Sequence, residues 1–328
     1  MTTLTEPPNR DTWPLVSVVV PTYGRDEYLE DALRSVTEQT YDNIELFVVD
    51  DGSSIPITET IDEEGIPFEN LESVTFIRHN ENRGANVARN NGIRSATGEF
   101  IAFLDDDDWW HEEKIARGVN AFLTGGENVG LVYNGKQTEG ADGTTKMIPS
   151  VEGDVVTDLL EGKEFGQFSS IMVRSSVIDE AGLPDERFPS WQDREWLFRI
   201  AQYCEFKPIP EILTYRRVGH ADRITRDFQT QRDVTYPMFV EKHEPLAAEY
   251  GWYYRRAFLA SLRLNLARTA VRADEYEEAR KYFWRGFAAN PLYRPLYPHL
   301  LPSLGGKWTY KPVTVVRKQI SKVASLLG

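Results

Sequence analysis

The sequence predicts an α/β fold, in which a mainly parallel sheet is flanked by helices and followed by a C-terminal helical extension. Two observations support this prediction. Runs of β-branched residues alternate with segments of helical periodicity in the first third of the chain, which is the order typical of a parallel sheet. From Trp252 onward the apolar residues recur at helical spacing, as on one face of an amphipathic helix.

Four short apolar runs in the first third predict strands, because each has the length of a strand and is bounded by polar or turn-forming residues. These predicted strands cover residues 16–20, 44–49, 74–77 and 99–104. A helix is predicted after the first strand, where Asp26 offers an N-cap and apolar residues follow at helical spacing. Those residues are Leu29, Ala32, Leu33 and Val36. A second helix is predicted over residues 84–96.

The second half of the chain is less regular. Its predicted elements are strands at 130–133 and 169–173, helices at 192–203 and 276–289, a polar loop at 219–225 and a final helix at 313–327. In the 192–203 helix, Trp196, Ile200 and Tyr203 share a helical stripe, and Leu259, Leu262 and Leu266 form another stripe farther on. Prolines between residues 291 and 302 are expected to break helices up to Leu304.

The composition excludes several classes of protein. The chain has 328 residues, of which 41% are hydrophobic, and this is enough for a sizeable core and roughly two domains. A net charge of −14 makes nucleic acid an unfavourable partner, because phosphates repel it. The single cysteine, Cys204, excludes an internal disulfide. With no leader-like start and no membrane-spanning run, these features predict a cytoplasmic protein.

Basic residues are concentrated at the C-terminal end. Residues 279–328 contain no Asp or Glu. Their basic residues are Arg280, Lys281, Arg285, Arg294, Lys307, Lys311, Arg317, Lys318 and Lys322. Together with the Tyr, Trp and Leu residues of this segment, they suit the anionic inner face of a membrane, where the protein would be peripheral. Docking of the segment on the acidic body of the same chain is an equally open alternative.

The sharpest feature of the sequence is a run of four aspartates, residues 105–108, directly after the fourth predicted strand. At about 4 Å and an effective dielectric constant of about 20, each like-charged pair costs on the order of 4 kcal/mol before screening. Mg²⁺ or Mn²⁺ would offset this repulsion, because both prefer oxygen ligands. An acidic surface loop is the alternative interpretation. Polar residues also follow the first two strands, so three strand ends are expected to meet at one edge of the sheet.

Four segments in this order resemble the catalytic domain of the family 2 glycosyltransferases: residues 16–23, 48–53, 82–90 and 103–108. The resemblance covers roughly residues 15–220. It implies the Rossmann-like GT-A fold, a nucleotide-diphosphate sugar as donor, most often a UDP-sugar, and inversion at the anomeric carbon. The domain organisation that we expect is a tail at 1–14, a GT-A catalytic domain at 15–240 and a basic helical region at 241–328. Within the catalytic domain, residues 15–110 would bind the nucleotide sugar and residues 111–240 the acceptor.

The resemblance also implies roles for individual residues. The nucleotide would be bound by Pro21, Thr22, Tyr23, Asp50, Asp51, Arg83, Asp105 and Asp106. Asp51, or its neighbour Asp50, would contact the base, on which Tyr23 could stack. Asp105 and Asp107 would form the DxD pair that holds the metal, with Asp107 as the more direct ligand. His220 lies in a basic loop that could close over the diphosphate, as a phosphate or metal ligand or in a purely structural role.

Residues 188–196 resemble the segment that carries the catalytic base in this family. The implied base is Asp193, near the start of a predicted helix whose dipole favours the ionised carboxylate. Two alternatives stay open: Asp193 caps the helix, or Glu195 is the base, because Gln192 stands where the family usually has Glu. Trp191, Asp108 and Trp109 are the candidate residues for the sugar and the acceptor.

The function predicted from the sequence is therefore metal-assisted transfer of a sugar, of the hexosyltransferase type. The acceptor would be a glycan, or a lipid-linked or protein-linked molecule, and the cofactor Mg²⁺ or Mn²⁺. Two other functions are alternatives. One is a noncatalytic, membrane-associated scaffold that binds nucleotide sugars. The other is a sugar nucleotidyltransferase, for which Gly24 and Arg25 supply only a weak match to a phosphate-binding loop.

Overall fold

The computed structural model of the protein describes residues 13–24, 26–61, 65–140, 143–218 and 227–310. The chain divides into two compact units. The N-terminal unit is Met1–Val156 with Glu164–His220, and the C-terminal unit is Thr157–Lys163 with Ala221–Gly328. This division falls inside the predicted 15–240 domain, so the predicted domain limits stay a prediction. The loop predicted at 219–225 and the helix predicted at 313–327 lie outside the described residues.

The strands of the described chain form one sheet in the N-terminal unit. They are β1 (Val16–Thr22), β2 (Ile44–Asp50), β3 (Ser73–Arg78), β4 (Phe100–Phe103), β5 (Asp108–Trp110), β6 (Val129–Gly140), β7 (Gly143–Met147), β8 (Ile171–Arg174) and β9 (Glu205–Val218). The strand order is β3-β2-β1-β4-β8-β6-β9-β5, and β7 pairs with β6 outside this path. The first four strands pair in parallel, whereas β8 is antiparallel to both of its neighbours.

Ten α-helices longer than one turn lie within the same described residues. They are α1 (Asp26–Thr37), α2 (Ala85–Ser95), α3 (Lys114–Gly125), α4 (Val156–Leu160), α5 (Ser175–Ala181), α6 (Gln192–Ile200), α7 (Tyr236–Glu249), α8 (Trp252–Arg272), α9 (Tyr276–Ala289) and α10 (Tyr297–Leu304). One α-helical turn, Phe228–Thr230, and a π-helical segment, Gln231–Thr235, lead directly into α7.

The core of the N-terminal unit lies on both faces of the parallel strands. Every residue of β1 and β2 is buried, as expected for apolar runs covered on both sides. Leu29, Leu33 and Val36 of α1 pack into this core. On the other helix, α2, a Cβ at Gly92 would lie 2.4 Å from Cγ1 of Val19, so glycine allows α2 to approach β1. The predicted α/β class is confirmed.

Two predicted helical features are wrong. α6 ends at Ile200, and Tyr203 is exposed instead of lying on the buried stripe. Prolines were expected to break helices up to Leu304, yet α10 runs through this segment and contains Pro302. Pro298 is tolerated there because it occupies the first turn, where its missing N–H has no helical partner.

The predicted strand at 130–133 continues to Gly140, and its partner β9 was not predicted. Pro208 and Pro210 of β9 argue against a central strand, because proline cannot donate to a ladder. The structure accommodates them with an irregularity: Asn134 pairs with Ile209, but the next residue of β6 pairs with Ile212. The bulge therefore releases Pro210 from the ladder.

The described part of the C-terminal unit is helical. α8 and α9 pack against each other across a short turn, with Leu262 and Leu266 buried as predicted. The bounds of α9 are those predicted from the sequence. Among the described residues, no helix is both long enough and apolar enough to cross a membrane.

Candidate active site

The carboxyl ends of β1, β2 and β4 meet at one edge of the sheet, as predicted. Thr22 ends β1 and pairs in register with Asp50, the last residue of β2. The Thr22 hydroxyl donates a hydrogen bond of 2.8 Å to Oδ2 of Asp106, which follows β4. The backbone N–H of Asp51 donates to the carbonyl of Thr22 at 2.9 Å. Thr22 thus joins the three strand ends, as a donor to Asp106 and an acceptor from Asp51.

Asp50 closes the loop that follows β2. Its Oδ1 accepts a hydrogen bond of 2.8 Å from the N–H of Ser53, and its Oδ2 pairs with the Arg78 guanidinium. Arg78 also donates to the carbonyl of Ser53 at 2.7 Å. Gly52 has a φ of +79°, and a Cβ there would lie 2.5 Å from the backbone carbon of Glu81. Only glycine fits this turn, because the backbone has a positive φ and because no space is left for a Cβ atom.

Asp51 holds the chain that leads into α2. Its Oδ1 lies 2.7 Å from Nδ1 of His79 and accepts from the N–H of Arg83 at 2.9 Å. Its Oδ2 accepts from the N–H of Gly84 at 2.7 Å. Asn91 donates to Nε2 of the same histidine at 2.6 Å. Both carboxylate oxygens of Asp51 are therefore bound by the protein itself, through His79 and two backbone N–H groups. Asn91 in turn orients His79, and the sequence singled out neither the histidine nor the asparagine.

The other residues predicted to bind the nucleotide surround this loop. Pro21 is buried inside β1, whereas Tyr23 exposes about half of its side chain. Arg83 is exposed, and only its backbone N–H contacts Asp51. Tyr23 is thus accessible for stacking.

The four consecutive aspartates differ in burial. Asp106 and Asp108 are buried, whereas Asp105 and Asp107 are partly exposed. Oδ1 of Asp105 accepts a hydrogen bond of 2.6 Å from Nη2 of Arg89, which is itself buried. This ion pair fixes the first aspartate of the predicted DxD pair against α2.

Asp108 is the most unusual of the four. Its Oδ2 accepts a long hydrogen bond, 3.3 Å, from Gln167, whereas its buried Oδ1 has no hydrogen-bond partner. The nearest cation is Arg216, whose Nε lies 3.9 Å from Oδ1. Burial raises the pKa of Asp108 well above its usual value, the charges of Asp105 and Asp107 raise it further, and Arg216 opposes both. The negative charges of Asp105 and Asp107 therefore disfavour ionisation of Asp108, and Arg216 only partly offsets this effect.

Asp193 lies in the first turn of α6, half-buried, and its Oδ1 accepts from the N–H of Arg194 at 2.7 Å. Burial raises the pKa of Asp193. The Arg194 hydrogen bond and the charges of Lys136 and Arg89 oppose this rise, while Asp105 adds to it. The predicted base and the aspartate run, 85 or more residues apart in the sequence, therefore act on each other electrostatically in one site.

Glu195, the alternative base, has a different environment. It is buried, and both of its oxygens accept hydrogen bonds from Arg199, at 2.8 and 2.9 Å. Arg199 also donates to the carbonyls of Ala181 and Leu183, at 2.6 and 2.8 Å. The Glu195–Arg199 pair thus fastens α6 to the end of α5, and its acceptor atoms are already in use.

Two basic residues of the site were not identified from the sequence. Besides Asp105, Arg89 contacts the side chain of Gln192 at 3.1 Å, and its guanidinium lies 3.9 Å from the centre of the Phe168 ring. Lys136 on β6 donates to Gln167 at 3.2 Å. Burial lowers the pKa of Lys136, and the charges of Glu164, Asp193 and Asp108 oppose this fall. Gln192, directly before Asp193, was a signal in the sequence: its polar side chain could have suggested a hydrogen-bond partner on another element.

The structure separates the predicted sugar and acceptor residues. Trp191 has a left-handed backbone, with φ 56°, directly before α6 and therefore close to Asp193. Trp109 follows Asp108 in β5 and so faces the opposite side of the strand. There it stacks on Tyr215 at 5.5 Å, and the Arg217 guanidinium lies 4.5 Å from its ring. Trp109 lines a separate cleft of about 350 Å³.

The predicted metal ligands satisfy a simple chemical test. Asp105 and Asp107 are the two aspartates of the run that reach solvent, and Mg²⁺ or Mn²⁺ often uses only one or two carboxylates, with phosphate oxygens and water as the other ligands. Their charges raise the pKa of Asp108, a repulsion that a cation would relieve. No group of three or more His, Cys, Asp or Glu ligands occurs in the described ranges, and His220 lies outside them.

Comparison with known proteins identifies the family. Residues 17–179 match the family model described as Glycosyl transferase family 2. An uncharacterized glycosyltransferase from Haemophilus influenzae is 29% identical over 206 residues, which are 61% of this chain and 67% of the relative. The match covers only 31% and 27% of two longer curated relatives.

Two solved structures share the fold. The mannosyltransferase PcManGT from Pyrobaculum calidifontis, in complex with GDP-Man and Mn²⁺, has a TM-score of 0.58 and 20% identity, over 98% of this chain and 89% of that chain. S. aureus TarS 1-349, in complex with UDP-GlcNAc, has a TM-score of 0.51 and 16% identity, over 86% of this chain and 92% of that chain. The GT-A fold predicted from the motifs is confirmed. By the family match over residues 17–179, this chain belongs to glycosyltransferase family 2, a family of transferases.

Proposed function

We propose that the protein is an inverting glycosyltransferase that moves a sugar from a nucleotide-diphosphate donor to an acceptor hydroxyl, with Asp193 as the base. One observation carries this proposal: Arg89 donates hydrogen bonds both to Asp105, at 2.6 Å, and to Gln192, the residue before Asp193, at 3.1 Å. A base and a diphosphate-binding group must face the same anomeric carbon for single displacement. The GDP-Man and UDP-GlcNAc in the two similar structures support a nucleotide-sugar donor.

The donor would occupy the edge formed by β1, β2 and β4. Tyr23 is exposed beside the loop that Asp50 and Asp51 hold together, and its ring suits stacking on a base. Asp105 and Asp107 would hold Mg²⁺ or Mn²⁺, which supplies charge neutralisation for the departing diphosphate. Arg89 would keep the Asp105 carboxylate in place through their 2.6 Å hydrogen bond.

Asp193 would take the proton of the acceptor hydroxyl. As that oxygen attacks, a bond forms between it and the anomeric carbon, and the bond from this carbon to the diphosphate oxygen breaks. The proton passes to the Asp193 carboxylate. Because the protein raises the pKa of Asp193, the carboxylate is a stronger proton acceptor than a solvated aspartate, provided that the pH keeps it ionised.

The proposal names only the class of the nucleotide and of the acceptor. The family resemblance favours UDP, whereas one similar structure holds GDP-Man. We propose a glycan, lipid-linked or protein-linked acceptor whose hydroxyl reaches Asp193 past Trp191. Trp109 is excluded from this path in our proposal, because it lies on the opposite face of β5 from Asp108.

A two-stage experiment tests this function. Melting temperatures with UDP- and GDP-sugars, each with and without Mn²⁺, identify the donor, since a ligand that binds the folded state raises the melting temperature. Release of the nucleoside diphosphate with candidate acceptors is then compared between the wild type and Asp193→Asn. We expect metal-dependent donor binding in both proteins and turnover only in the wild type.

The alternatives give different results in the same assays. A noncatalytic scaffold would bind the donor, but the wild type would release no nucleoside diphosphate with any acceptor. A nucleotidyltransferase would instead release pyrophosphate from a nucleoside triphosphate and a sugar phosphate. Either result would overturn the proposed transfer of a sugar.

A further inference from the structure

The C-terminal unit has an apolar surface that faces solvent. Among the described residues, the most exposed large apolar side chains include Trp308, Leu301 and Leu292, at 88%, 76% and 70%. Rings link α9 and α10, since Trp284 contacts Phe287 at 5.8 Å, and Phe287 contacts Tyr297 at 6.3 Å. We use the name aromatic face for the set Trp284, Phe287, Tyr297, Leu301, Leu304 and Trp308.

The exposed side of helix α10 is apolar. Tyr297, Leu301 and Leu304 are spaced four and three residues apart, so they share one side of the helix, and all three are exposed. Leu300 and Ser303 of the same helix are buried. A surface helix normally presents polar residues to water, and an exposed apolar patch often marks an interaction site.

Exposed basic residues occur in the same segment of the chain as this face, and one of them, Lys281, pairs with Glu278. All of the basic residues between positions 279 and 310 are exposed: Arg280, Lys281, Arg285, Arg294 and Lys307. No acidic residue occurs from position 279 to the end of the chain, where four more basic residues follow. A second copy of the chain seated on this face would bring like charges together, which disfavours self-association. An anionic surface is complementary to the face.

We propose that the aromatic face docks on the surface of an anionic lipid bilayer, with α10 lying in the interface. Trp and Tyr favour this region because their rings are amphipathic. Exposed Lys and Arg add attraction to anionic headgroups. The apolar side chains and the basic residues together supply two signals, as stable peripheral binding requires. This inference stands apart from glycosyl transfer, because it concerns residues of the C-terminal unit only.

Vesicle flotation of the full chain tests the proposal. The vesicles are phosphatidylcholine alone, or phosphatidylcholine with phosphatidylglycerol. The wild type is expected to float with the anionic vesicles and not with the neutral ones. A variant with Leu301→Ser, Leu304→Ser and Trp308→Ser should bind at least about tenfold more weakly. A second variant, Arg294→Gln with Lys307→Gln, should also bind more weakly and lose less affinity on addition of salt.

A matched control removes apolar side chains of similar exposure elsewhere. Leu123 and Ile148 of the N-terminal unit are 58% and 51% exposed, and Leu123→Ser with Ile148→Ser should float like the wild type. Circular dichroism confirms that each variant is folded. Unchanged flotation of the aromatic-face variant would show that charge alone binds the vesicle and would overturn the proposal. So would a wild type that ignores both vesicles and forms a dimer that the aromatic-face variant does not form.

Discussion

Two acidic regions of the same sheet edge are built in opposite ways. In the β2 loop, Asp50 and Asp51 are buried, and every carboxylate oxygen is paired with a side chain or a backbone N–H. In the aspartate cluster, formed by residues 105–108 with Asp193, one buried oxygen of Asp108 has no hydrogen-bond partner. The pKa values of Asp108 and Asp193 are raised, mainly by burial.

The difference separates a framework from a reaction site. The β2 loop is electrostatically complete, so its aspartates stabilise the fold whether or not a ligand is bound. The aspartate cluster retains incompletely compensated negative charge, which costs stability in the protein without ligand. The same charge favours binding of a cation or a proton when the enzyme is active. Substitutions in the two regions should therefore have opposite effects on stability, and only the cluster should govern catalysis.

The largest expected effect is on turnover. Asp193→Asn removes the proposed proton acceptor and should lower kcat by about 10²–10⁴-fold. Donor binding should change little, because Asp193 is proposed to face the acceptor. Steady-state rates of nucleoside diphosphate release and donor titrations measure the two quantities separately.

Asp179 on α5 is an exposed carboxylate suited to a control. Asp179→Asn should leave both kcat and donor binding unchanged. If Asp193→Asn kept most of the wild-type kcat, the base would have to be another group. The aspartate cluster would then not be the reaction site.

The next largest effect should be the loss of stability on Asp51→Asn. The substituted amide turns one acceptor into a donor that faces either the N–H of Gly84 or the pair formed by His79 and the Arg83 N–H. Hydrogen bonds to charged groups contribute about 1.5–3 kcal/mol each, so the free energy of unfolding should fall by about 2–3 kcal/mol. Urea denaturation measures this change. An unchanged midpoint would contradict a framework role for the β2 loop.

The sequence predicted the β2 loop's position better than its chemistry. Strands β1 to β4 are short, continuous apolar runs that polar residues terminate, so the ends of β1, β2 and β4 could be placed at one edge. The hydrogen bonds that Asp51 accepts could not be predicted from the sequence. His79 reaches it from beyond β3, and Arg83 and Gly84 do so through backbone N–H groups that carry no sequence signature.

In the aspartate cluster, the assumption that adjacent residues lie on the same side of the chain is wrong. The sequence predicts residues 105–108 as one group of carboxylates at the end of a strand, but Asp108 begins β5, and strand alternation places Trp109 on the other face. Arg89 and Lys136 were missed because a charged residue on a helix or strand is usually solvated. Only the folded sheet brings β6 and α2 to the same carboxylates.

Asp108→Asn should produce a smaller effect of the opposite sign. Because the folded protein raises the pKa of Asp108, the folded state binds its proton more tightly than the unfolded state. The contribution of Asp108 to wild-type stability is then highest below the ordinary aspartate pKa of about 3.9 and falls as the pH rises through the raised folded value. The asparagine variant escapes this loss and should be more stable by about 1 kcal/mol at neutral pH without metal.

Denaturation curves of both proteins at several pH values, in the presence of a chelator, check this prediction. The two stabilities should converge at low pH, where the wild-type carboxyl is protonated in both states. A variant that was less stable than the wild type at neutral pH would contradict the uncompensated charge. Asp108 would then resemble Asp51, and the comparison of the two regions would fail.

The smallest effect should be a shift in the pH dependence of turnover in Lys136→Met. Turnover requires ionised Asp193, so activity falls as the pH drops through its raised pKa. The charge of Lys136 holds that pKa down, and its removal should move the acidic limb of kcat/KM to higher pH. Above the limb, kcat/KM should change by less than about tenfold. Lys136→Arg keeps the charge and should keep the wild-type limb, because the effect is electrostatic. An equal loss of kcat/KM at every pH in Lys136→Met would instead make Lys136 a binding or packing residue and remove it from the group that tunes Asp193.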